Sequence, residues 1–550
     1  MTSRAEIPER SLSLFPFPAT LIALIAFAAV APMLFLGTPS GHDFEFHLNS
    51  WLEVLGQWRQ GILYPRWASM AHYGYGEARF LFYPPASWML GASLGALLPW
   101  KVVPGVFNWI ALALAGWSMF LLARRWFSRP TATFAALLYT ANPYHLVIVY
   151  WRSAFAELLA SSLLPLLLLL TLQIPDKGRK TLFPLALLIA AAWLTNAPSA
   201  VMIHYSFALL LIVVAFGRKS PQSLLWGGLA VFLGAALAAF YLVPAAYEEK
   251  WVNIAEVLSP GLRPQDNFLF TVINDPDHNR FNLLVSIVAF SEMIVAGSAA
   301  LLSYKWRRDK RELWTASLCW TTLSILLLFP FTFFFWEHMP KLRFVQLPWR
   351  WLLCLNIGVA LLIPMAWRRW FSRLAMSAAL VVVVFLVWHR VQAPWWDHAP
   401  DIVEIRDSVR EGPGYEGTDE YVPAGADPYE IDKKAPLVRT KDNVKARIKV
   451  EQWSAESKML TANAAEPTQL ILKLFNYPSW TVLVNGRPLT SQTAEVTGQM
   501  IVPIEGGRNI VKIYFARTWD RTLGGIISLC AIAVLAVDIY SRRRVSRRVQ

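Results

Sequence analysis

The sequence predicts a polytopic α-helical membrane protein of about twelve spans, with a C-terminal extracytoplasmic β-sandwich domain. Three observations predict it. The 550 residues are 55% hydrophobic, with a mean hydropathy of +0.39. Lys and Arg cluster at the ends of apolar runs, which is typical of cytoplasmic loops. Residues 391–520 are charged and then alternate between polar and apolar. The net charge of +14 therefore reflects membrane topology and indicates no nucleic-acid partner.

The first predicted span covers residues 15–37, which hold no charged side chain. At 1.5 Å per residue this run crosses a hydrocarbon core of roughly 30 Å. The small residues Ala29-Val30-Ala31 would also fit a signal-peptide cleavage site, but the run is long and Pro32 follows directly. We expect the segment to remain as a span, which places Asp43 just outside the membrane.

Eleven further spans place every basic cluster on one side and both termini in the cytoplasm, as in a plasma (inner) membrane protein. They cover residues 102–123, 130–149, 155–174, 181–197, 199–216, 224–244, 284–304, 312–333, 350–367, 373–390 and 522–541. The apolar piece Ser87–Leu98 lies between prolines and is too short for a span, so an interfacial or re-entrant segment is expected.

This topology predicts three regions of the chain. Residues 1–390 form a transmembrane domain with large external loops at 38–101 and 245–283, residues 391–520 form the external β-rich domain, and residues 521–550 form a final helix with a basic tail. The three cysteines lie in apolar runs, which indicates packing rather than disulfides.

The first external loop begins with an amphipathic pattern. Phe44, Leu48, Trp51 and Leu55 recur at three- and four-residue spacing, with polar residues between them. The pattern predicts a helix lying along the outer membrane surface.

The C-terminal region shows strand patterns. Residues 470–475 and 510–514 alternate, and Asn485-Gly486 between two short apolar runs indicates a tight hairpin.

The segment from Gly41 to His47 places two carboxylates and two imidazoles at the membrane surface. Asp43 is either a catalytic carboxylate or an N-cap for the helix that follows. His42 and His47 are five residues apart, which does not favour a zinc site on one helical face.

Several short motifs carry a resemblance when taken in order. They are the acidic segment at Asp43, Tyr64-Pro65-Arg66-Trp67, Gly74-Tyr75-Gly76, Phe82-Tyr83-Pro84-Pro85, Tyr150-Trp151-Arg152 with Glu157, Leu347-Pro348-Trp349-Arg350-Trp351, and Tyr477-Pro478-Ser479-Trp480 with Asn485-Gly486. This order resembles the membrane proteins called 6-pyruvoyl-tetrahydropterin-synthase-related, although nothing in the sequence indicates a soluble pterin enzyme. These proteins are similar to the GT-C superfamily of polytopic glycosyltransferases.

The resemblance implies a transferase that moves a sugar from a polyprenyl-phosphate donor to a glycan, lipid or protein acceptor on the extracytoplasmic face. Asp43 matches the acidic position of the family and is the candidate general base, with Glu45 as helper or as the base itself. A divalent cation, Mg²⁺ or Mn²⁺, is compatible with Asp43 and Glu45 acting with Asp275 or Asp277, but no metal is required.

Cationic residues near the outer ends of spans are candidates for the donor phosphate. Arg350 and Arg343 lie on the side where positive charge is unusual, and Arg152 lies at another external turn. Arg350 could alternatively reach lipid headgroups, and Arg152 could form a structural ion pair with Glu157. The acceptor or loop candidates are His47, Tyr64, Arg66, Glu248, Glu249, Asp275 and Asp277.

A second class of function is a transporter or non-catalytic scaffold for lipid-linked glycans. Transporters place ionisable residues along a pathway near mid-bilayer, whereas the spans here hold His204, Glu292 and Asp538 without a matched set in two halves. The pattern favours the transferase. A sensor or adhesion role for the β-domain is the third alternative.

Overall fold

The computed structural model describes residues 17–441 and 444–549. The predicted cytoplasmic N-terminus and the first two residues of the predicted first span lie outside the described residues, as does Gln550. The described chain forms a helical bundle and a β-sandwich, joined by the loop 38–101 and by the segment that follows residue 390.

Fifteen helices are described before residue 250. They are α1 (Pro18–Val30), α2 (Met33–Leu36), α3 (Phe44–Arg59), α4 (Ala71–Gly74), α5 (Arg79–Phe82), α6 (Pro85–Leu97), α7 (Val103–Arg124), α8 (Arg129–Thr140), α9 (Pro143–Val147), α10 (Phe155–Ala160), α11 (Leu163–Lys177), α12 (Leu182–Thr195), α13 (Ala197–Gly217), α14 (Gln222–Leu237) and α15 (Ala239–Glu248).

Seven more helices are described after residue 270. They are α16 (Pro276–Ser303), α17 (Arg311–Leu326), α18 (Phe333–His338), α19 (Leu352–Ala366), α20 (Trp370–Arg390), α21 (Ala399–Arg410) and α22 (Trp519–Val549).

Within residues 17–441 and 444–549, nine helical segments are long and apolar enough to cross a membrane, or up to eleven if two bent pairs each count as one span. One of the nine, Phe155–Thr195, has 41 residues and is interrupted at Gly178, where α11 ends with a positive φ of 46°. Its length of about 60 Å is twice what one crossing needs, so it accommodates the two spans predicted there. Helix α6, with 13 residues, is too short to cross.

The predicted spans 224–244 and 312–333 correspond to the two bent helix pairs. Helices α17 and the segment Pro330–His338 meet at 96°. Phe329 is extended (φ −114°, ψ 148°) because the proline that follows disfavours a helical residue before it.

Helices α14 and α15 meet at 76°, and α22 packs into the break between them. The Ser528 hydroxyl accepts a hydrogen bond from the Phe240 N–H at 2.9 Å. The same hydroxyl lies 3.2 and 3.1 Å from the carbonyl oxygens of Ala236 and Leu237. Backbone groups freed by the bend are thus satisfied by a neighbouring helix.

The C-terminal region contains the predicted β-sandwich. Its strands are β3 (Val438–Thr440), β4 (Ala446–Trp453), β5 (Ser457–Ala464), β6 (Thr468–Phe475), β7 (Trp480–Val484), β8 (Arg487–Leu489), β9 (Gln492–Thr493), β10 (Gln499–Ile504) and β11 (Gly507–Phe515), after a short pair, β1 (Thr38–Pro39) and β2 (Trp396–Asp397), nearer the bundle.

Two antiparallel sheets, in the orders β3-β6-β10-β9 and β4-β5-β11-β7-β8, enclose one apolar core. The Asn485-Gly486 hairpin is confirmed, with φ of 52° and 81° at its two central residues.

Helix α3 differs from the predicted surface helix, because both of its faces are covered. Its apolar face packs on the bundle, where the Trp51 ring stacks on Phe107 at 5.2 Å. Its polar face is covered by its own loop and by the segment after α21, since Glu53 accepts hydrogen bonds from the Met70 N–H at 2.6 Å and the Tyr415 hydroxyl at 3.2 Å. The amphipathic pattern was compatible with water on the polar face, but backbone and side-chain donors of the protein occupy it instead.

Candidate functional site

A cavity of about 690 Å³ lies where the first loop, the turn after α9, the loop before α16 and the segment after α20 meet. It brings together four of the predicted site residues. These are Asp43, Arg152, Asp275 and Asp277. We call this space the central cavity.

Backbone pairing places Asp43 at the cavity wall. Strand β1 pairs with β2, and the Ser40 N–H donates to the carbonyl oxygen of Trp395 at 3.1 Å. The Asp43 N–H donates to the Arg152 carbonyl oxygen at 2.9 Å. Gly41 allows this approach, because a Cβ there would overlap the Trp151 carbonyl group. Two segments 109 residues apart are thereby fixed side by side.

Asp43 occupies the N-cap position of α3, but its side chain makes no capping hydrogen bond. Its Oδ2 instead accepts from an Arg152 Nη at 2.9 Å, while 35% of the side chain stays exposed. Burial alone would raise the pKa of Asp43, but the positive charge of Arg152 and the further effects of His47 and Arg350 outweigh it and hold this pKa below its usual value. Asp43 is therefore a carboxylate at neutral pH.

Arg152 belongs to an alternating chain of charges. It ends a turn of π-helix, Ile148–Arg152, a feature frequent at functional sites. A second Nη donates to Glu157 Oε2 at 3.2 Å, and Arg350 Nε donates to the same oxygen at 3.1 Å. The predicted Arg152–Glu157 ion pair is thus present, and it is shared with Arg350. The Tyr144 hydroxyl donates to the other Glu157 oxygen at 2.7 Å.

Arg350 lies behind this chain rather than at the cavity wall. It is 8% exposed, and one of its Nη atoms donates to the Val345 carbonyl oxygen at 2.7 Å and to Gln346 Oε1 at 3.1 Å. The guanidinium of Arg152 lies over the Trp349 ring, 4.7 Å from its centroid, and Trp349 lines the cavity. Arg350 thus reaches the cavity through Glu157 and Arg152.

The N-terminus of α16 forms another part of the wall. Asp275 caps this helix, accepting from the backbone N–H groups of Asp277 and His278. Arg280, one turn further on, is exposed at the cavity, and its side chain has no hydrogen bond or ion pair to any described residue. Sequence reasoning missed His278 and Arg280, although basic residues directly after Asp275-Pro276-Asp277 were a signal for them.

Two other predicted residues of the first loop lie away from the central cavity. Glu45 is exposed as a residue, but its carboxyl is partly desolvated. This desolvation, together with the negative charges of Asp397 and Glu416, raises the pKa of Glu45. His47 is 1% exposed, and its ring nitrogens face the hydroxyls of Ser87 at 3.3 Å and Tyr83 at 3.5 Å. Burial lowers the pKa of His47 to about 4, so the ring is neutral at physiological pH.

The remaining candidates make contacts between parts of the molecule. Tyr64 packs edge-on against Trp88, and Arg66 donates to Glu456 Oε2 of the β-sandwich at 3.0 Å. Arg343 is exposed and lies outside the central cavity.

The adjacent candidates Glu248 and Glu249 form ion pairs with different parts of the chain. Glu248 is buried and accepts a bidentate contact from Arg521, with both distances 2.8 Å, and a hydrogen bond from Tyr477 at 2.7 Å. Glu249 pairs with Lys341 at 3.4 Å.

Within the described ranges, no group of three His, Cys, Asp or Glu side chains is close enough to hold a metal ion. Asp43 is bound by Arg152, and the Asp275 side chain caps a helix. The central cavity instead offers three carboxylates, two guanidinium groups, two imidazoles and apolar walls, among them Phe281, Leu347 and Trp395.

Comparison with known proteins gives a family and two distant structures. Residues 80–393, more than half of the chain, match the family described as "6-pyruvoyl-tetrahydropterin synthase related domain; membrane protein". No curated protein matches the chain.

One similar solved structure is the arabinofuranosyltransferase AftD from Mycobacteria, with 16% identity and a TM-score of 0.40 over 69% of this chain and 28% of that one. The second is the oligosaccharyltransferase of Archaeoglobus fulgidus, with 13% identity and a TM-score of 0.32 over 74% of this chain and 57% of that one. The chain thus spans less than two thirds of either protein.

Proposed function

The chain belongs to the 6-pyruvoyl-tetrahydropterin-synthase-related family of membrane proteins, and from this premise we propose that it is a membrane glycosyltransferase. It moves a sugar from a polyprenyl-phosphate donor to an acceptor on the extracytoplasmic face. The observation that carries the proposal is the partly exposed Asp43 carboxylate, held by Arg152 at the wall of the central cavity.

Asp43 acts as the general base. As the acceptor oxygen attacks the anomeric carbon, the acceptor proton passes to a carboxylate oxygen of Asp43. The bond between the sugar and the phosphate oxygen breaks, and its electron pair stays on the lipid phosphate. Because Arg152 binds Oδ2, it fixes the orientation of the carboxylate while the exposed part faces the acceptor.

Cations of the cavity stabilise the departing phosphate. Arg280 is exposed at the wall, and a guanidinium suits phosphate oxygens because it presents paired donors in one plane. Arg152, at the turn after α9, adds a second positive charge to the same lining. Arg350 is a positioning residue, because it holds Glu157, which in turn holds Arg152. The aromatic and aliphatic wall accepts the first isoprenoid units.

A transfer assay tests the proposal. Reconstituted protein is given radiolabelled polyprenyl-phosphate hexoses and pentoses with membrane extracts as acceptors, and label in a new covalent product is measured. The proposal expects transfer that Asp43→Asn abolishes. Donor that crosses a proteoliposome membrane or is retained on the protein, with no new product from any donor class, would instead support a transporter or scaffold.

A further inference from the structure

A second cavity of about 470 Å³ lies between the C-terminal ends of α3 and α21 and the β-sandwich. We call it the distal cavity. Trp67 and Gly74 line it, so two motifs of the first loop that do not reach the central cavity meet here instead. Helix α3 has 16 residues, so Asp43 at its start and Arg59 at its end are about 24 Å apart. The two cavities therefore lie at opposite ends of one buried helix.

The lining of the distal cavity is strongly cationic. Its charged residues are Arg59, Arg410, Lys458, Lys473 and Glu53. Glu53 is saturated by hydrogen bonds, accepting from the Ser69 and Met70 N–H groups and from the Tyr415 hydroxyl. Arg59 and Arg410 are exposed, and neither has a hydrogen bond or ion pair to another described residue. These two guanidinium groups are therefore available to a ligand.

Helix ends explain only part of this charge. Arg59 and Arg410 each lie in the last turn of a helix, where a cation is favourable. The two lysines lie on strands and have no such reason. Lys458 is 2% exposed, and two of its three donors are used by the carbonyl oxygens of Ser454 and Ala455, at 2.8 and 2.7 Å. The Lys458 ammonium also lies over the Trp480 ring, 4.4 Å from its centroid, so the protein itself satisfies most of this buried cation, and the two arginines carry the argument for a ligand.

The neutral lining fits a sugar ring. Trp100, Trp453 and Tyr73 provide aromatic faces for the apolar face of a ring, and Gln60 lies among them as a hydrogen-bonding amide. Tyr73 and its neighbour His72 have φ of 56° and 49°, an uncommon conformation that occurs at binding sites. The volume is that of a small-ligand pocket.

We propose that the distal cavity binds an anionic carbohydrate, a glycan whose sugars carry carboxylate or phosphate groups. The exposed guanidinium groups of Arg59 and Arg410 meet the charges, with Lys473 as a further cation of the same lining, and the aromatic rings meet the sugar faces. The further assignment of this glycan as the non-reacting part of the acceptor rests on the proposed function. In that case the acceptor reaches both ends of α3, with its reacting end at Asp43 and its anionic part near Arg59.

Binding to the full-length protein in neutral detergent tests the proposal without any transfer reaction. Calorimetry compares a polyuronate oligosaccharide with a neutral gluco-oligosaccharide of the same length and with inorganic phosphate. We expect the polyuronate to bind at least tenfold more tightly than the neutral glycan, and its affinity to fall with added salt. Equal affinity for the two oligosaccharides, or binding of phosphate alone, would overturn the proposal.

Variants place the binding at the distal cavity. Arg59→Gln and Arg410→Gln should each weaken polyuronate binding about tenfold. The control Lys512→Gln removes a cation from an exposed position on β11 outside the cavity and should leave the affinity unchanged. Unchanged affinity in both arginine variants would contradict the site. Titration with nanodiscs of neutral and anionic phospholipid is the second arm, and full displacement of the polyuronate by the anionic lipid would make this a headgroup site.

The binding assay and the transfer assay test different proposals, so a negative result in one does not decide the other. Asp43→Asn should keep wild-type polyuronate affinity, because Asp43 lies at the other end of α3. Binding without any transfer product would remove the acceptor role and leave the distal site, whereas transfer without polyuronate binding would remove the distal site and leave the proposed function.

Discussion

Replacing Asp43 by Asn removes the proposed general base while keeping the size of the side chain. A positioned base contributes about 10² to 10⁴ in rate, equivalent to about 3 to 5 kcal/mol of transition-state stabilisation. The cost in folding stability should be far smaller, about 1 kcal/mol, because Arg152 keeps its contact with Glu157 and 35% of the Asp43 side chain is exposed. The variant is thus expected to lose activity without a comparable loss of folding stability.

The assay is label transfer from the polyprenyl-phosphate sugar by purified, reconstituted variants, together with melting temperatures in the same detergent. The Asp43→Asn variant should have a lower kcat with little change in apparent donor affinity. The matched control is Glu45→Gln, an acid-to-amide change two residues away at an exposed position outside the central cavity. It should retain the wild-type rate.

The pH–rate profile separates the two carboxylates a second time. Positive neighbours hold the pKa of Asp43 below its usual value, so the base stays ionised and no loss of rate is expected from it between pH 8 and pH 5. The pKa of Glu45 is raised, so a reaction dependent on Glu45 would lose rate as the pH falls toward its ordinary value of 4.5 from above. A near wild-type rate for Asp43→Asn, or loss of rate in Glu45→Gln, would refute the assignment.

Three further predictions concern residues at or near the central cavity and in the first loop. Arg280→Gln should weaken apparent donor affinity about tenfold with little change in melting temperature. Arg350→Gln should instead destabilise the fold by about 3 kcal/mol or more, because it leaves a buried Glu157 contact unmade, and Arg350→Lys should be intermediate. Equal effects of Arg280→Gln and Arg350→Gln on donor affinity would contradict this division. Gly41→Ala should lower both rate and melting temperature, since the added Cβ overlaps Trp151. The control is Gly56→Ala, inside α3 with open space around its Cβ, which should keep the rate and should not lower the melting temperature. Glu77, bound by His72, Arg79 and the Thr418 N–H, has a pKa lowered to about 2, so it contributes about 3 kcal/mol that is present above pH 4.5 and lost as the pH falls toward 2; thermal unfolding of Glu77→Gln should lack this pH dependence, and an unchanged slope would exclude Glu77 as its source.

Local patterns predicted the elements that depend on local physics. Charge-free runs predicted most spans, and the positive φ required at Asn485-Gly486 predicted the hairpin. The bends at Ala238 and Phe329 were harder, because hydropathy averages over a window and does not register a backbone break. The second break had a visible cause in Pro330, whereas the first depends on Ser528, which is distant in sequence.

The site was predictable in part for the same reason. Asp43 could be predicted from its position after the first span, and the pair of Arg152 with Glu157 from its place near an external turn. That Arg350 binds Glu157 from 193 residues away, and that Arg280 faces the central cavity, are facts of tertiary packing. The Trp67 motif was visible in the sequence, but its burial against the β-sandwich core was not, since Trp480 and Phe515 lie more than 400 residues further on.

The Ser528 contact also orders events during synthesis of the chain. Phe240 is made 288 residues before the hydroxyl that accepts its N–H, and at 5–20 residues per second the delay is on the order of tens of seconds. During that time the bend between α14 and α15 must remain beside water or other polar partners, because an unpaired amide in lipid is costly. The helix pair is therefore finished only after the β-sandwich has been made and α22 has inserted. A chain that ends before residue 528 lacks this hydroxyl, so the backbone groups at the bend are left without their partner.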